Sequence, residues 1–599
     1  MSRASSLIQI GALRFLAVIV LPAAVLTGCA ANPPQAAPAG QETQSDSDAD
    51  APDADQQAVA GEPEARSDLP KQELTENILY EYLLAEIAGQ RGNVGLAAQA
   101  YVDLAKRTRD PRIARRATEI ALYARMNNAA IDSAKIWYET DADSQRPLQA
   151  LSGLLIAGGR YDEAAPYLKK LLSTAPAGPA GGFVQLGRTL ANAQDKKAAL
   201  RLVQGLAADY PKLPQAHFAV AQAAAGAGDD PLALQEIRAA EQLRPDWETA
   251  VLLEAQILQK TSPDQAALVL AAYLEKYPTG REARLGYARI LVAQKRFVDA
   301  RAEFQKLMVA VPDSTDMAFA VALLSLQLKD YDSAEKYLKG LLDTNYRDKD
   351  SVRLYLGQIA EERNDLAGAL RWYGAIGEGE QYVQAQIRYA QVLAKQGNLD
   401  AARAQLQQAA ARNGQERVQF ILAEAQLLRD ADRPKEAFDL LGRALDRLPN
   451  DPDLLYDYAM IAEKIDRVDI LESSLRKLIE IRPEYAHAYN ALGYSLADRN
   501  QRLPEARELI EKALKLAPDD AFIIDSMGWV LYRQGQLKDS LGYLQRAFTD
   551  RPDPEIAAHL GEVLWVSGQH DEAERVWRDA AQKTPGNETL ANTIKRLKH

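Results

Sequence analysis

Few residues in this sequence have the types and spacing that chemistry requires. The 599 residues include one cysteine, Cys29, and five histidines scattered along the chain. A single cysteine excludes a disulfide within the chain and any metal site built from several cysteines. The paired glycines at 158–159 and 181–182 indicate turns rather than a phosphate-binding loop. We find no Ser/His/Asp or Cys/His set at catalytic spacing, and we therefore predict that the chain is not an enzyme and holds no metal or cofactor.

The single cysteine has neighbours that point to chemistry on its own thiol. A short region with two arginines precedes an apolar run at 15–26, and the triplet Leu26-Thr27-Gly28 leads directly to Cys29. This order of a positive region, an apolar core and small residues is that of a secretory signal. The apolar run is also shorter than the roughly 20 residues that a helix needs to cross a bilayer.

The triplet before Cys29 resembles the lipobox of bacterial lipoproteins. The resemblance implies that residues 1–28 are removed as a signal peptide and that Cys29 receives a diacylglycerol and a further fatty acid such as palmitate. Because Ala30 rather than Asp follows, it also implies sorting to the outer membrane, facing the periplasm. Each buried methylene contributes about 0.8 kcal/mol, so several acyl chains would anchor the protein firmly. The alternative is a free cysteine in an uncleaved leader.

Residues 29–72 have the composition of a disordered acidic linker. They are rich in Ala, Pro, Gln, Asp and Glu and nearly free of large apolar side chains, so they cannot bury enough surface to fold. Of the net charge of −12, residues 1–29 carry +2 and residues 30–70 carry −8, which leaves −6 for residues 71–599. This balance argues against nucleic acid as a partner. We interpret the linker as a spacer, with an acidic partner-recruiting motif as the alternative.

Prolines recur along most of the chain at nearly constant spacing. The 137 residues between Pro312 and Pro449 equal four such periods, so the phase continues where the proline is missing. Thirteen repeat ends fit between 176 and 585, and two less regular units precede them. The spacing is 33 to 35 residues within each of two series: Pro176, Pro211, Pro245, Pro278 and Pro312, then Pro449, Pro483, Pro518, Pro552 and Pro585.

Each period contains two apolar stripes at helical spacing, and a small residue has a fixed place on the first. Gly493, Gly528 and Gly561 occupy this place in successive units, where a small side chain lets two antiparallel helices approach closely. The pattern resembles the tetratricopeptide repeat. The resemblance implies an all-α fold, with irregular helical repeats at 73–145. A right-handed superhelical solenoid of antiparallel helix pairs would follow at 146–599.

Repeats of this kind bind peptides and proteins on a concave surface formed by the first helix of each pair. Aromatic and arginine side chains dominate binding energy at such surfaces. Trp529 and Trp565 fit a second interpretation equally well, in which they fill gaps between imperfect repeats, and we assign Tyr489 and Trp577 to the core. The partner-binding candidates are His487, Asn490, Tyr494, Phe522, Asp525, Trp529, Tyr532, Arg533, Glu562 and Trp565.

The N-terminal block, residues 79–117, contains motifs that are more specific than the repeat pattern. It contains LYEYLLAEIAGQRG from Leu79, TRDP from Thr108 and RRA from Arg115. These motifs resemble the start of a family of proteobacterial outer-membrane lipoproteins built from tetratricopeptide repeats. One member type is the adaptor partner of a periplasmic carboxyl-terminal processing protease, to which it brings peptidoglycan cross-link hydrolases. Four arginines are candidates for partner binding or, alternatively, solvated helix ends: Arg91, Arg109, Arg115 and Arg116.

Three functions remain open from the sequence. The first is a protease adaptor, which would act by raising the local concentration of protease and substrate on one anchored scaffold. The second is an assembly scaffold for exopolysaccharide export or a pilus secretin. The third is a glycan hydrolase hidden in an irregular unit, which would need two carboxylates facing one cleft. Affinity capture followed by mass spectrometry separates the first two.

Overall fold

The computed structural model describes residue 70 and residues 72–175, 178–190 and 193–598. The predicted signal peptide, Cys29 and nearly all of the predicted linker lie outside these residues. The described part contains 31 α-helices and no strand, and none of its helices is long and apolar enough to span a bilayer. The chain divides into two compact units, one ending at Tyr337 and the other beginning at Leu338.

Unit 1 consists of short helices of similar length, the last of which crosses the boundary between the units. They are α1 Glu76–Gln90, α2 Val94–Thr108, α3 Pro111–Tyr123, α4 Asn127–Thr140, α5 Gln145–Ala157, α6 Tyr161–Thr174, α7 Gly178–Leu190, α8 Lys196–Ala207, α9 Pro214–Ala227, α10 Asp230–Leu243, α11 Glu248–Gln259, α12 Pro263–Lys276, α13 Arg281–Ala293, α14 Phe297–Ala310, α15 Thr315–Gln327 and α16 Tyr331–Leu342.

Unit 2 continues in the same style. Its helices are α17 Lys349–Glu362, α18 Leu366–Gly374, α19 Tyr382–Lys395, α20 Leu399–Gln408, α21 Gly414–Asp430, α22 Pro434–Arg447, α23 Pro452–Lys464, α24 Val468–Ile481, α25 Ala486–Asp498, α26 Leu503–Leu516, α27 Ala521–Arg533, α28 Leu537–Asp550, α29 Pro554–Val566, α30 His570–Lys583 and α31 Glu588–Lys598.

Within each unit, most odd-numbered helices contact the even-numbered helix that follows, and successive pairs contact each other in chain order. The helices thus form fifteen pairs, and α31 closes the series. Two pairs precede the regular array, and four pairs lie between Pro312 and Pro449, as the spacing predicts. The predicted fold class, an all-α solenoid of antiparallel helix pairs, is confirmed.

The recurrent prolines end the second helix of each pair. Pro483, Pro518 and Pro552 each lie two residues beyond the last residue of α24, α26 and α28. A proline there cannot continue the helix, because it has no N–H to donate. After Pro518, α27 begins at an acidic cap: the carboxylate of Asp520 accepts hydrogen bonds from the N–H groups of Phe522 at 2.9 Å and Ile523 at 3.2 Å.

The repeated glycine lets the two helices of a pair come into contact. A Cβ on Gly528 would lie 2.6 Å from Cγ of Leu544, and a Cβ on Gly561 would lie 2.0 Å from Nε1 of Trp577. Both distances are too short for any larger residue. Trp577 is buried, as predicted, whereas Tyr489, also assigned to the core, is half-buried.

Candidate functional site

The first helices of the C-terminal pairs lie side by side. In unit 2, α25 contacts α27, α27 contacts α29, and α29 contacts α31. Most of the predicted partner-binding residues belong to these helices. The side on which they meet is called the inner face below, and four side chains at its centre form the inner-face cluster: Tyr494, Asp525, Trp529 and His559.

A chain of polar contacts joins three repeats within the inner-face cluster. Nδ1 of His559 lies 2.8 Å from Oδ2 of Asp525, and Nε2 of His559 lies 3.2 Å from the hydroxyl oxygen of Tyr494. The ring of Trp529 stacks on the His559 ring with 4.2 Å between centroids and 25° between planes. Tyr494 is on α25 and His559 is on α29. Side chains from the two first helices on either side of α27 therefore touch each other across α27.

The cluster is buried and charged. Asp525 is 5% exposed and His559 is 7% exposed. Burial by itself lowers the pKa of His559, but the charge and hydrogen bond of Asp525 more than offset this and raise the pKa of the imidazole above its usual range. In the imidazolium form, both ring N–H groups donate, one to Asp525 and one to Tyr494. Trp529 then provides an aromatic face for a buried cation.

Several polar atoms around the cluster have no partner among the described residues. They are Oδ1 of Asp525, Nε1 of Trp529 and Oδ1 of Asn490, and all three are buried. Asn490 and Asp525 each lie three residues before the glycine that packs in their repeat. A buried polar atom without a hydrogen bond costs about 1–3 kcal/mol, so these three atoms make the inner face less stable than a fully hydrogen-bonded arrangement would be.

A second polar group extends the inner face toward the C-terminus. The carboxylate of Glu562 is buried and accepts a hydrogen bond from the Tyr532 hydroxyl at 3.2 Å. It also pairs with Arg596 on α31. The burial of Tyr532 and the charge of Glu562 raise the pKa of the phenol. The final helix is therefore held to the preceding pair by an ion pair as well as by apolar packing.

The candidates predicted on the concave side fall into three groups by exposure. Asp525, Trp529 and Glu562 are buried; the sequence presented Asp525 and Glu562 as surface candidates and left Trp529 open between the surface and a gap between repeats. Their burial follows from the close approach of α25, α27 and α29, and partner binding at these positions stays a prediction. The half-buried candidates are Asn490, Tyr494, Tyr532, Arg533 and Trp565, and the exposed ones are His487 and Phe522.

The two exposed candidates lie near the start of their helices. Phe522 is 37% exposed, and the guanidinium of Arg551 lies over its ring at 4.7 Å. Nε2 of His487 is 4.0 Å from a carboxylate oxygen of Asp520. These side chains, unlike Trp529, can be touched by a partner without any rearrangement of the repeats.

The four N-terminal arginine candidates lie on exposed helix ends or in exposed ion pairs. Arg91 follows α1, and Arg115 pairs with Glu119 one turn later at 2.9 Å. Arg109 has a left-handed backbone with φ of 49° and pairs with Glu139 at 2.6 Å.

Arg116 differs because it borders a cavity of about 240 Å³ between α1, α2 and α3. In this cavity the Tyr101 hydroxyl donates to the carboxylate of Glu86. Burial and the Glu86 charge raise the pKa of the Tyr101 phenol.

Sequence reasoning missed His559 and a pair of glutamates in unit 1, of which Glu254 is buried and Glu241 is half-buried. Glu254 accepts a hydrogen bond from Nε of Arg238 at 2.7 Å. Burial and the charge of Glu254 raise the pKa of Glu241 to about 8. His559 lies 34 residues after Asp525, which is one repeat, and this spacing was the available signal. The glutamates gave no signal because acidic residues on amphipathic helices usually face solvent.

The described residues contain no group of three or more metal-ligating side chains. The Tyr494–His559–Asp525 contacts have the order of an acid–base relay. The imidazole, however, is enclosed by protein on both ring nitrogens, so it has no free nitrogen to present to a substrate. The arrangement joins repeats to one another.

Comparison with protein families identifies a repeated match. Profiles of the tetratricopeptide repeat match residues 258–324 in one form and residues 319–382, 387–452, 471–521 and 526–588 in another. Among curated proteins, the chain is 38% identical over 527 residues to a TPR repeat-containing protein, PA4667, of Pseudomonas aeruginosa. That similarity covers 87% of this chain and 88% of the relative.

Solved structures with similar helical repeats include several of lower identity. A thermophilic TPR protein, TTC0263, of Thermus thermophilus is 24% identical, with a TM-score of 0.28, over 30% of this chain and 97% of that one. A tetratricopeptide repeat protein from Parabacteroides merdae is 13% identical, with a TM-score of 0.34, over 42% of this chain and 99% of that one.

Proposed function

Because this chain belongs to the tetratricopeptide repeat family, we propose that it is a non-enzymatic scaffold that binds other proteins. The observation that carries this proposal is the stacking of helix pairs within each unit, together with exposed side chains such as Phe522 on the first helices. Such stacks offer long binding surfaces. The described residues offer a substrate no open acid–base group or metal site at the inner-face cluster.

We further propose that the scaffold is an adaptor anchored in the outer membrane. The lipobox-like residues before Cys29 support the anchor, and the acidic segment at 30–70 would hold the folded repeats away from the lipid surface. The N-terminal block supports a carboxyl-terminal processing protease as one partner. Cell-wall hydrolases would be the cargo, held beside the protease at a high local concentration.

Affinity capture tests the adaptor proposal. The full-length protein, in detergent, is used as bait, and the captured proteins are identified by mass spectrometry. Recovery of a processing protease together with peptidoglycan hydrolases is the expected result. Recovery of only polysaccharide synthase or secretin subunits would overturn the adaptor proposal in favour of an assembly scaffold.

The anchor is tested separately. A Cys29→Ala variant is expected to lose metabolic labelling by palmitate and to leave the membrane fraction. A Ser6→Ala variant in the leader serves as the matched control, since it changes the signal region but leaves the thiol. If the Cys29→Ala protein still carries lipid, Cys29 is not the attachment site.

A further inference from the structure

A groove lies on the opposite side of the C-terminal repeats from the inner-face cluster. Its walls are the second helices α26 and α28, and its floor is part of α27. It encloses about 900 Å³, which is at the upper end of the size of ligand pockets. All of its lining residues belong to unit 2.

The floor of the groove is apolar. Met527 and Leu531 of α27 are buried beneath it, and Leu514 and Tyr543 contribute half-buried side chains from the two walls. An apolar floor between polar walls favours a ligand with large apolar side chains.

One wall of the groove contains a glycine, which contributes no side chain. Gly542 lies in the middle of α28, lines the groove, and has no atom within 4 Å of the position that its Cβ would occupy. Glycine inside a helix is less stable than alanine by about 0.5–1 kcal/mol. Helix packing does not require glycine here, and a large side chain at this lining position would reduce the space in the groove.

Four basic side chains and two acidic ones, Glu511 and Asp539, flank the apolar floor, so the lining carries an excess of positive charge. Arg507 on α26 is paired with Glu511 at 2.8 Å, and Arg546 on α28 is paired with Asp519 at 3.2 Å. Lys515 and Lys538 also line the groove, and neither has an ion-pair partner among the described residues. These two lysines therefore remain available to a negatively charged ligand.

The cations are separated along the groove. The stretch of α26 from Arg507 to Lys515 spans about 12 Å at 1.5 Å per residue. Because α26 and α28 are both second helices and run in the same direction, Lys538 lies near the Arg507 end. Arg546 lies near the Lys515 end. Each end of the groove thus has one unpaired lysine and one arginine that is already paired with a carboxylate, with the apolar floor between the two ends.

We propose that this groove binds an extended segment of a partner protein with an acidic residue at each end and large apolar residues between them. An extended chain rises about 3.3 Å per residue, so about four residues match the slot. The chain's own acidic segment at 30–69 fits poorly, because Val59 and Leu69 are its only large aliphatic residues. The inference rests on the proposed scaffold function and adds a second surface with a defined partner chemistry.

Fluorescence anisotropy with a labelled peptide tests the groove directly. The probe is Gly-Asp-Leu-Phe-Asp-Gly with an N-terminal fluorophore, and it is titrated with the full-length protein in detergent. A matched peptide with Ser in place of both Asp residues, and another with Ser-Gly in place of Leu-Phe, should each bind about tenfold more weakly, or about 1.4 kcal/mol. Binding of the acidic peptide should weaken as salt is raised.

Two sets of variants locate the binding site. Lys515→Glu combined with Lys538→Glu should weaken binding at least tenfold. Lys435→Glu should not, although Lys435 is the second residue of α22 just as Lys538 is the second residue of α28. Gly542→Phe should block the groove without unfolding the repeat. Gly205→Phe is its control, because Gly205 lies in a second helix, α8, with equally open surroundings.

The proposal fails if the double lysine variant and Gly542→Phe both bind the acidic peptide as the unchanged protein does. It also fails if the Ser-substituted peptide binds equally well. An affinity that rises tenfold when residues 30–69 are deleted would assign the groove to the chain's own acidic segment instead. None of these outcomes depends on capture of a protease, so the groove and the adaptor proposal can fail independently.

Discussion

The two sets of predicted binding residues have opposite surroundings. At the C-terminal end, the inner-face cluster is buried, with Trp529 only 4% exposed and stacked on His559. At the N-terminal end, the Arg109–Glu139 pair leaves more than half of each side chain exposed. The same residue types that bind partners on a surface are here used, in one region, to hold repeats together.

Apolar surface shows the same difference. Helix α1 leaves Leu79, Tyr80, Leu83 and Ile87 exposed, with Tyr80 at 66%. In α29, by contrast, every residue from Ile556 to Leu564 is buried. These apolar side chains of α29 are buried, whereas the four of α1 are exposed. A substitution should therefore change the free energy of unfolding in α29 and the properties of the exposed surface in α1.

The largest expected effect is that of Trp529→Ala. Removing a buried indole should lower the free energy of unfolding by about 3–5 kcal/mol, and the loss should concentrate in α25 to α31 because repeats couple to their neighbours. Denaturant unfolding with hydrogen exchange measures both. Tyr80→Ala, an exposed aromatic, should change stability by less than about 0.5 kcal/mol. Equal losses of unfolding free energy in Trp529→Ala and Tyr80→Ala would contradict the difference in burial between the two ends.

Asp525→Asn should have the next largest effect. It removes the charge that faces His559 at 2.8 Å while keeping the shape, and a buried hydrogen bond to a charged group contributes about 1.5–3 kcal/mol. Glu139→Gln makes the same change in the exposed pair with Arg109 and should cost less than about 1 kcal/mol. Thermal unfolding of both variants checks this. A cost for Glu139→Gln that matches that of Asp525→Asn would contradict it.

The positions of the helices follow from local features of the sequence. A proline ends a helix and a small residue permits a close crossing wherever they occur. Pro518 and Gly528 could therefore be placed correctly from spacing alone. The phase through 312–449 could be extended because the 137 residues equal four periods, and α16, α18 and α20 each end within this stretch without the proline.

The contacts that bury Trp529 and His559 in the inner-face cluster could not be predicted in this way. Tyr494 and His559 are 65 residues apart, and whether they touch depends on small rotations between successive repeats. The sequence showed that Trp529 lies on a first helix and left two interpretations open. Only the distance between α25 and α29 distinguishes an exposed indole from a buried one, and no periodicity encodes that distance.

A change of pH should alter the free energy of unfolding by a smaller amount, because His559 exchanges only one proton. The folded-state pKa of His559 is raised, so its contribution to stability is complete below the unfolded value of about 6.5. It is lost as the pH rises through the raised folded value. Other charged groups that act on the imidazole are Asp498, Glu555 and Glu562.

His559→Gln should remove this pH dependence between neutral and mildly alkaline conditions, as measured by unfolding at a series of pH values. His570→Gln, which changes an exposed histidine, is the control and should leave the dependence intact. Burial also raises the pKa of Glu555, so the contribution of this carboxyl is complete below its unfolded value of about 4.3 and is also lost as the pH rises through its folded value. A pH profile unchanged by His559→Gln would show that the imidazole is not charged in the folded protein.

The smallest effect on stability is expected from Arg109→Ala. Its ion pair with Glu139 is exposed on both sides, and such pairs contribute about 0–1 kcal/mol. The melting temperature should therefore hardly change, and any loss of a captured partner would report binding rather than unfolding. Glu139→Ala breaks the same pair but keeps the guanidinium, so it should retain the partner. If both variants capture the partner as the unchanged protein does, Arg109 is a solvated helix end. The N-terminal helices would then bind a partner through the exposed apolar side chains of α1 or not at all.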